Sequence, residues 1–295
     1  MNLPLWIEFF DDLQHVRGRS INTIMAYRRD IELYAQFRKK SDRMIEFFDF
    51  MKTEKLSTRS QARIISSVRT YLKFCETRGV SSPELRDLRP PKVKASLPKA
   101  ISTADFQKLF LSSEVLKDEA KTIRNRLTLL FLYGLGCRVS ELTEMNLNDF
   151  SATEKWVKVI GKGKKERLIP LTEALYLALD VYLKKSHPVL AEKAASSQSL
   201  LLNDRGHRPS RVDIWRWLAA WSAKAGFDEP IHPHQFRHGC ATALLEGGAD
   251  LRSIQLLLGH SSIQTTQIYT TVTTNTAAQA IEDHHPLSKL KDHSV

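Results

Sequence analysis

Apolar residues recur with a helical period through the first ninety positions. In SINTIMAYRRDIELYAQF, Ile24, Tyr27, Ile31 and Tyr34 step by three, four and three residues, which sets them on one helix face. Ser20 stands just ahead, where a hydroxyl can accept from an unpaired first-turn N–H. STRSQARIISSVRTYLKFCETRG repeats the pattern, with Ile65, Val68, Leu72 and Cys75 in one stripe, Ser57 at its start and Gly79 at its end. Arg28 lies within the first helix. On the second, Arg59 and Arg63 are one turn apart, as are Arg69 and Lys73, and both pairs are expected to form basic ridges on the solvated side.

The period stops at RPPKVKASLPKA, residues 89–100, where three prolines and three lysines replace it. Such a stretch is a semi-extended basic linker. It divides the chain into a helical domain, 1–88, and a second domain, 101–295. The second opens with a helix capped at Ser102 or Thr103 and continues through the apolar helix containing RLTLLFLYGLG. Trp156–Ile160 and Arg167–Leu171 then alternate around Gly161-Lys-Gly163, which predicts a hairpin. Helices follow in RVDIWRWLAAWSAKAG, HQFRHGCATALLEGG, DLRSIQLLLG and SSIQTTQIYTTV, with stops at Gly226, Gly247/Gly248 and Gly259. The predicted fold is mostly α, a helical bundle followed by an α+β domain with a small antiparallel sheet.

Composition narrows the function. The net charge is +11; residues 1–99 hold 20 basic and 12 acidic side chains, and residues 100–295 hold 24 and 21. The excess of +8 in the first third suits a polyanion. Lys92 and Lys94 extend it into the linker, so that the two basic surfaces could close around a duplex. No apolar run approaches the roughly 20 residues that span a bilayer. MNLPLWIEFFDD has no basic segment ahead of an apolar one, so no secretory signal is expected. Cys75, Cys137 and Cys240 are isolated and odd in number, which fits a reducing, cytoplasmic setting.

Three local patterns carry candidate chemistry. In Gly136-Cys-Arg138-Val-Ser-Glu141, an arginine follows a buried helix and a glycine turn; alone it reads as a surface arginine at a helix start. In His234-Gln-Phe-Arg237-His238, His234 and Arg237 share a helix face. There a guanidinium can grip two phosphate oxygens while an imidazole handles a proton. The competing reading is a zinc site on His232, His234 and His238, but the segment lacks an HExxH glutamate and any cysteine partner. In Leu258-Gly-His260-Ser-Ser, Gly259 places His260 in a turn, and Tyr269 follows about two helical turns after the cap. By itself Tyr269 reads as a packed core tyrosine.

Taken in order, these positions resemble the tyrosine recombinases, the integrase and Xer family. The family pattern Arg…Lys…His-x-x-Arg…His…Tyr is met by Arg138, Lys162, His234, Arg237, His260 and Tyr269. NTIMAYRRDI and RSQARIISSVRTYLKF resemble the family's SAM-like DNA-clamping domain, VIGKGKKERLIPL its hairpin, LLGHSSIQTTQIYT its nucleophile segment, and EDHHPLSKL the Xer tail. Cys137, Gly239 and Cys240 depart from the usual residues, at positions outside the catalytic set. Lys164 and Lys165 compete with Lys162 for the hairpin role.

The resemblance implies a site-specific DNA recombinase that works through a 3′-phosphotyrosyl intermediate on Tyr269. Arg138, Arg237 and His260 would hold the phosphate, His234 would accept the phenol proton, and Lys162 would protonate the leaving oxygen. Glu141 would orient Arg138. Neither metal nor cofactor is implied. The DNA contacts expected outside the active site are Arg28, Arg59, Arg63, Arg69, Lys73, Lys92 and Lys94. The expected partners are a double-stranded recombination site, a homo- or hetero-tetramer held through the tail at 275–295, a second Xer recombinase and a DNA translocase. The expected role is resolution of chromosome or plasmid dimers at segregation. Mobile-element integration, type IB topoisomerase-like relaxation and non-catalytic DNA binding are the rivals.

Overall fold

The computed structural model describes residues 3–91, 100–161, 165–194 and 198–259. The chain forms two compact units, Met1–Ser96 and Leu97–Val295. In the first, α1 (Trp6–Asp11) runs on through a π turn, Asp12–Val16. The helices α2 (Ile21–Arg38), α3 (Ile45–Thr53) and α4 (Thr58–Thr77) follow. Ser20 caps α2 by accepting from the Thr23 N–H, and Ser57 caps α4 by accepting from Ser60. Gly79 ends α4 at φ +81°, a left-handed conformation that favours glycine.

The two predicted stripes face each other. Ile24, Ile31 and Tyr34 of α2 and Ile65, Val68, Leu72 and Cys75 of α4 are all buried, around Phe9 and Phe47. A polar clasp crosses this interface. The buried carboxylate of Asp30 pairs with Arg63 and accepts from Ser67 Oγ at 2.7 Å.

The second unit comprises α5 (Thr103–Ser112), α6 (Glu119–Gly134), α7 (Val139–Glu144), a three-stranded sheet, α8 (Glu173–Val181), a π turn into α9 (His187–Ala191), α10 (Arg211–Lys224), α11 (Pro233–Glu246) and α12 (Leu251–Leu258). Every residue of α6 from Leu127 to Gly134 is buried, and α7, α8, α9 and α11 pack around it. A helix apolar on all sides belongs at the centre of a domain. Its entry holds one buried charge, Arg124. That guanidinium donates to Leu202 O at 3.1 Å and Asp204 at 3.0 Å, and lies 3.9 Å from the Trp217 ring centre.

The sheet is antiparallel in the order β1 (Phe150–Ser151), β2 (Trp156–Ile160), β3 (Glu166–Pro170). The third strand starts and ends one residue earlier than its pattern suggests. Val157 pairs with Ile169 and Val159 with Arg167. All four are buried, so Arg167 points into the domain beside aliphatic neighbours. The observed architecture is the expected one: mostly α, a helical N-terminal unit and a larger unit with a small antiparallel sheet. Cys75, Cys137 and Cys240 are free and buried, and burial pushes the thiols of Cys137 and Cys240 up to about 12, which leaves them inert. Among the described residues no helix is long and apolar enough to cross a membrane.

Candidate active site

The turn between α6 and α7 begins the site. Gly136 has φ +55°, and a Cβ there would fall 2.5 Å from Leu258 Cδ2 and 3.2 Å from Cys240 Sγ. Glycine alone therefore lets α12 and α11 close over this turn. Two residues on, Arg138 is the N-cap of α7 in extended conformation. Its backbone N–H donates to Glu141 Oε2 at 2.9 Å, and its Nη1 donates to Glu141 Oε1 at 2.7 Å. Glu141 is buried, while the Arg138 side chain remains 42% exposed. The carboxylate thus fixes the base of the arginine and leaves its outer face to solvent.

Glu141 has a second cationic partner. Arg167 donates from Nη2 to Oε2 at 2.8 Å and from Nη1 to Oε1 at 3.2 Å. Burial alone would raise the Glu141 pKa. The hydrogen bonds and charge of Arg167, joined by the Arg138 N–H and guanidinium, outweigh it and hold the carboxyl below its ordinary range. The reading from sequence placed Arg167 only in a strand. Its one signal was position: it shares the inward register of Ile169.

The helix α11 supplies the other arm. Pro233 opens it, and the His232 N–H, at the N-cap, donates to Gln235 Oε1 at 2.6 Å. His234 and His238 are exposed, and the His232 and His234 rings lie 5.8 Å apart. Arg237 turns inward. Its Nη1 donates to Gly136 O at 2.8 Å and its Nη2 to Leu258 O at 2.5 Å. Burial first, then the charge of Arg138, lowers its pKa to about 10, with Glu141 opposing. It stays protonated at neutral pH. Arg138 and Arg237 are therefore brought together, with His234 one turn from Arg237. Gly239 packs on the other side of α11: a Cβ would fall 2.9 Å from both Cγ2 and O of Ile101, whose N–H donates to Gln235 O at 3.3 Å.

Lys162, His260 and Tyr269 lie outside the described residues, as do Lys92, Lys94 and the tail. The residues preceding Lys162 and His260 are described. Gly161 donates to Lys165 O at 2.7 Å, and Gly259 has φ +67° directly after α12. Among the described residues no three His, Cys, Asp or Glu side chains converge as a metal-ligand set.

On the N-terminal unit, Arg28, Arg59, Arg63 and Lys73 are exposed. Arg28 lies over the Phe10 ring at 4.6 Å, and Arg63 is engaged by Asp30. Arg69 departs from its expected ridge. It is half-buried and donates to the carbonyls of Leu85 and Leu88, so it braces the turn after α4.

A mostly helical domain with a short antiparallel sheet, presenting clustered arginines beside a histidine, defines an integrase-like catalytic fold. Residues 102–276 match the phage integrase family, and residues 7–79 match its N-terminal SAM-like domain. The chain is 35% identical to tyrosine recombinase XerD of Listeria innocua, over 95% of this chain and 99% of that one. It is 34% identical to tyrosine recombinase XerD of Mycobacterium tuberculosis, over 95% and 97%. Among solved structures, lambda integrase residues 75–356 bound to DNA superposes with TM-score 0.68 at 16% identity, over 99% of this chain and all of that one. The site-specific recombinase XerH bound to a palindromic difH substrate gives 0.65 at 18% identity, over 93% and 80%. The chain belongs to the phage integrase family, and is a site-specific tyrosine recombinase of the Xer type.

Proposed function

We propose that this recombinase cleaves and rejoins the strands of a double-stranded DNA site through a 3′-phosphotyrosyl intermediate on Tyr269. The observation that carries this reading is the approach of two guanidiniums, Arg138 held by the Glu141 carboxylate with Arg167 behind it, and Arg237 held by the carbonyls of Gly136 and Leu258. Three guanidiniums against one carboxylate leave a net positive charge that attracts a phosphodiester.

The phenol of Tyr269 attacks phosphorus, and the bond to the 5′-oxygen breaks. A free phenol has a pKa of about 10, so it needs a proton acceptor and a cationic field. His234 takes the proton. Arg138, Arg237 and His260 hold the non-bridging oxygens, where negative charge grows in the transition state, and this electrostatic contribution is the largest. Lys162 protonates the departing 5′-oxygen. The new ester conserves the energy of the broken one, so a 5′-hydroxyl from another strand can displace Tyr269 in the reverse sense. Side-chain cations supply the charge that a metal supplies elsewhere.

The relatives named XerD and the XerH structure on its difH substrate support a role in resolving chromosome or plasmid dimers at segregation. In that role the enzyme works as a tetramer on DNA, with residues 275–295 reaching a neighbouring subunit. A second Xer recombinase and a DNA translocase complete the system. A nicked suicide duplex tests the chemistry. The parent protein is expected to become covalently attached to the 3′ end, and Tyr269→Phe to bind equally well without attachment. Adducts that persist in Tyr269→Phe would remove Tyr269 from its role.

A further inference from the structure

We propose that Arg167 is a positioning residue of the strand-cleavage reaction, the member that joins the two catalytic arginines into one closed array. This rests on the assignment of Arg138 and Arg237 as the phosphate-holding pair. Arg167 contributes all three of its guanidinium nitrogens. Two grip both oxygens of Glu141, which holds Arg138 at its backbone and at its guanidinium. The third, Nε, donates to Leu257 O at 2.9 Å.

The neighbouring carbonyl, Leu258 O, is taken by Arg237, whose other arm reaches back to Gly136 O, two residues before Arg138. The circuit therefore runs from Arg138 through Glu141 and Arg167 to the end of α12, through Arg237 to Gly136, and along the chain to Arg138 again. The last carbonyls of a helix have no partner within it and carry partial negative charge, so they suit two guanidiniums.

Gly259, at a left-handed φ, keeps this place open, and Gly161 borders it. A Cβ at Gly259 would meet Arg167 Nη1 and Cδ at 3.2 Å, and one at Gly161 would meet Nη1 at 3.5 Å. In sequence these glycines immediately precede His260 and Lys162. Arg167 itself has 6% of its side chain exposed, so it holds its partners without meeting DNA. Lysine cannot replace it, because an ammonium has neither the planar fork nor the third donor direction.

Single-turnover cleavage of the nicked duplex by the full chain tests this, with duplex affinity and thermal melting measured alongside. For Arg167→Lys the cleavage rate at saturating DNA is expected to fall about tenfold or more, with affinity within about threefold of the parent. A cleavage rate within about twofold of the parent overturns the proposal. If Arg167→Lys does not fold, Arg167→Gln, which keeps a planar head and a donor toward Glu141 without the charge, is measured the same way. Slow cleavage with retained affinity supports the positioning role, and a parental rate overturns it. Tyr269→Phe in the same assay separates the two ideas. Loss of adduct there, with fast cleavage by Arg167→Lys, sinks only the role of Arg167; adduct retained there sinks the nucleophile assignment.

Discussion

Glu141 and Arg167 face each other through two parallel hydrogen bonds of 2.8 and 3.2 Å, with side chains only 3% and 6% exposed. A pair this deep is fixed by what each partner does for the other. Removing one side leaves the remaining charge uncompensated, which is worth more than the pair's net contribution to stability.

Glu141→Gln should therefore destabilise the catalytic unit by about 3–5 kcal/mol, measured by chemical denaturation. The same carboxyl shapes the acid limit. Its folded pKa lies below the ordinary value of 4.5. The stability it contributes is present above that value and is lost as pH falls through the lower, folded one. The parent's loss of stability in that acid window should be shallower in Glu141→Gln.

Gly136→Ala places a methyl group against Leu258 and Cys240 at a left-handed φ. Leu258 is itself buried and has little room to yield. A loss of about 2 kcal/mol is expected from backbone strain and crowding. Since Gly136 O receives Arg237, cleavage should also slow by more than the fraction of unfolded protein explains. A rate loss fully accounted for by melting would show that this carbonyl does not place the arginine.

Arg237→Lys keeps a charge and loses the two-armed grip on Gly136 O and Leu258 O. Adduct formation is expected to fall about a hundredfold or more, in the range found when one transition-state donor is removed. Duplex affinity should change little. An equal loss of affinity and rate would make Arg237 a ground-state contact only.

Lys73 and Arg69 should separate cleanly. Lys73→Gln is expected to reduce the slope of log affinity against log salt by about one and to leave melting unchanged. Arg69→Gln strands the Leu85 and Leu88 carbonyls and should lower stability by about 1–3 kcal/mol, with little change in slope. The reverse pattern would return Arg69 to the DNA face.

What could be read from sequence was what local chemistry fixes. Ser20, Ser57 and Gly79 mark helix ends through bonds within a few residues, and the stripes of α2 and α4 name their own buried faces. The hairpin was visible from its alternation and its glycines. β1 was not, because two residues gain strand identity only by pairing with Trp156 and Val157. The π turns at Asp12–Val16 and Tyr182–Ser186 carry no residue signature. Arg69 matched a solvated ridge by spacing, yet its partners arrive from a later turn. Arg167 was hidden for the same reason: a charge on a strand reads as outward until register places it beside Ile169 and distant segments close on it.

Gly239 carries a mechanical consequence. Ile101 follows closely on the basic segment that joins the two units, and it seats on the bare backbone of α11 and bonds Gln235, between His234 and Arg237 in the chain. A displacement of Ile101 is thus delivered first to the helix bearing these two side chains.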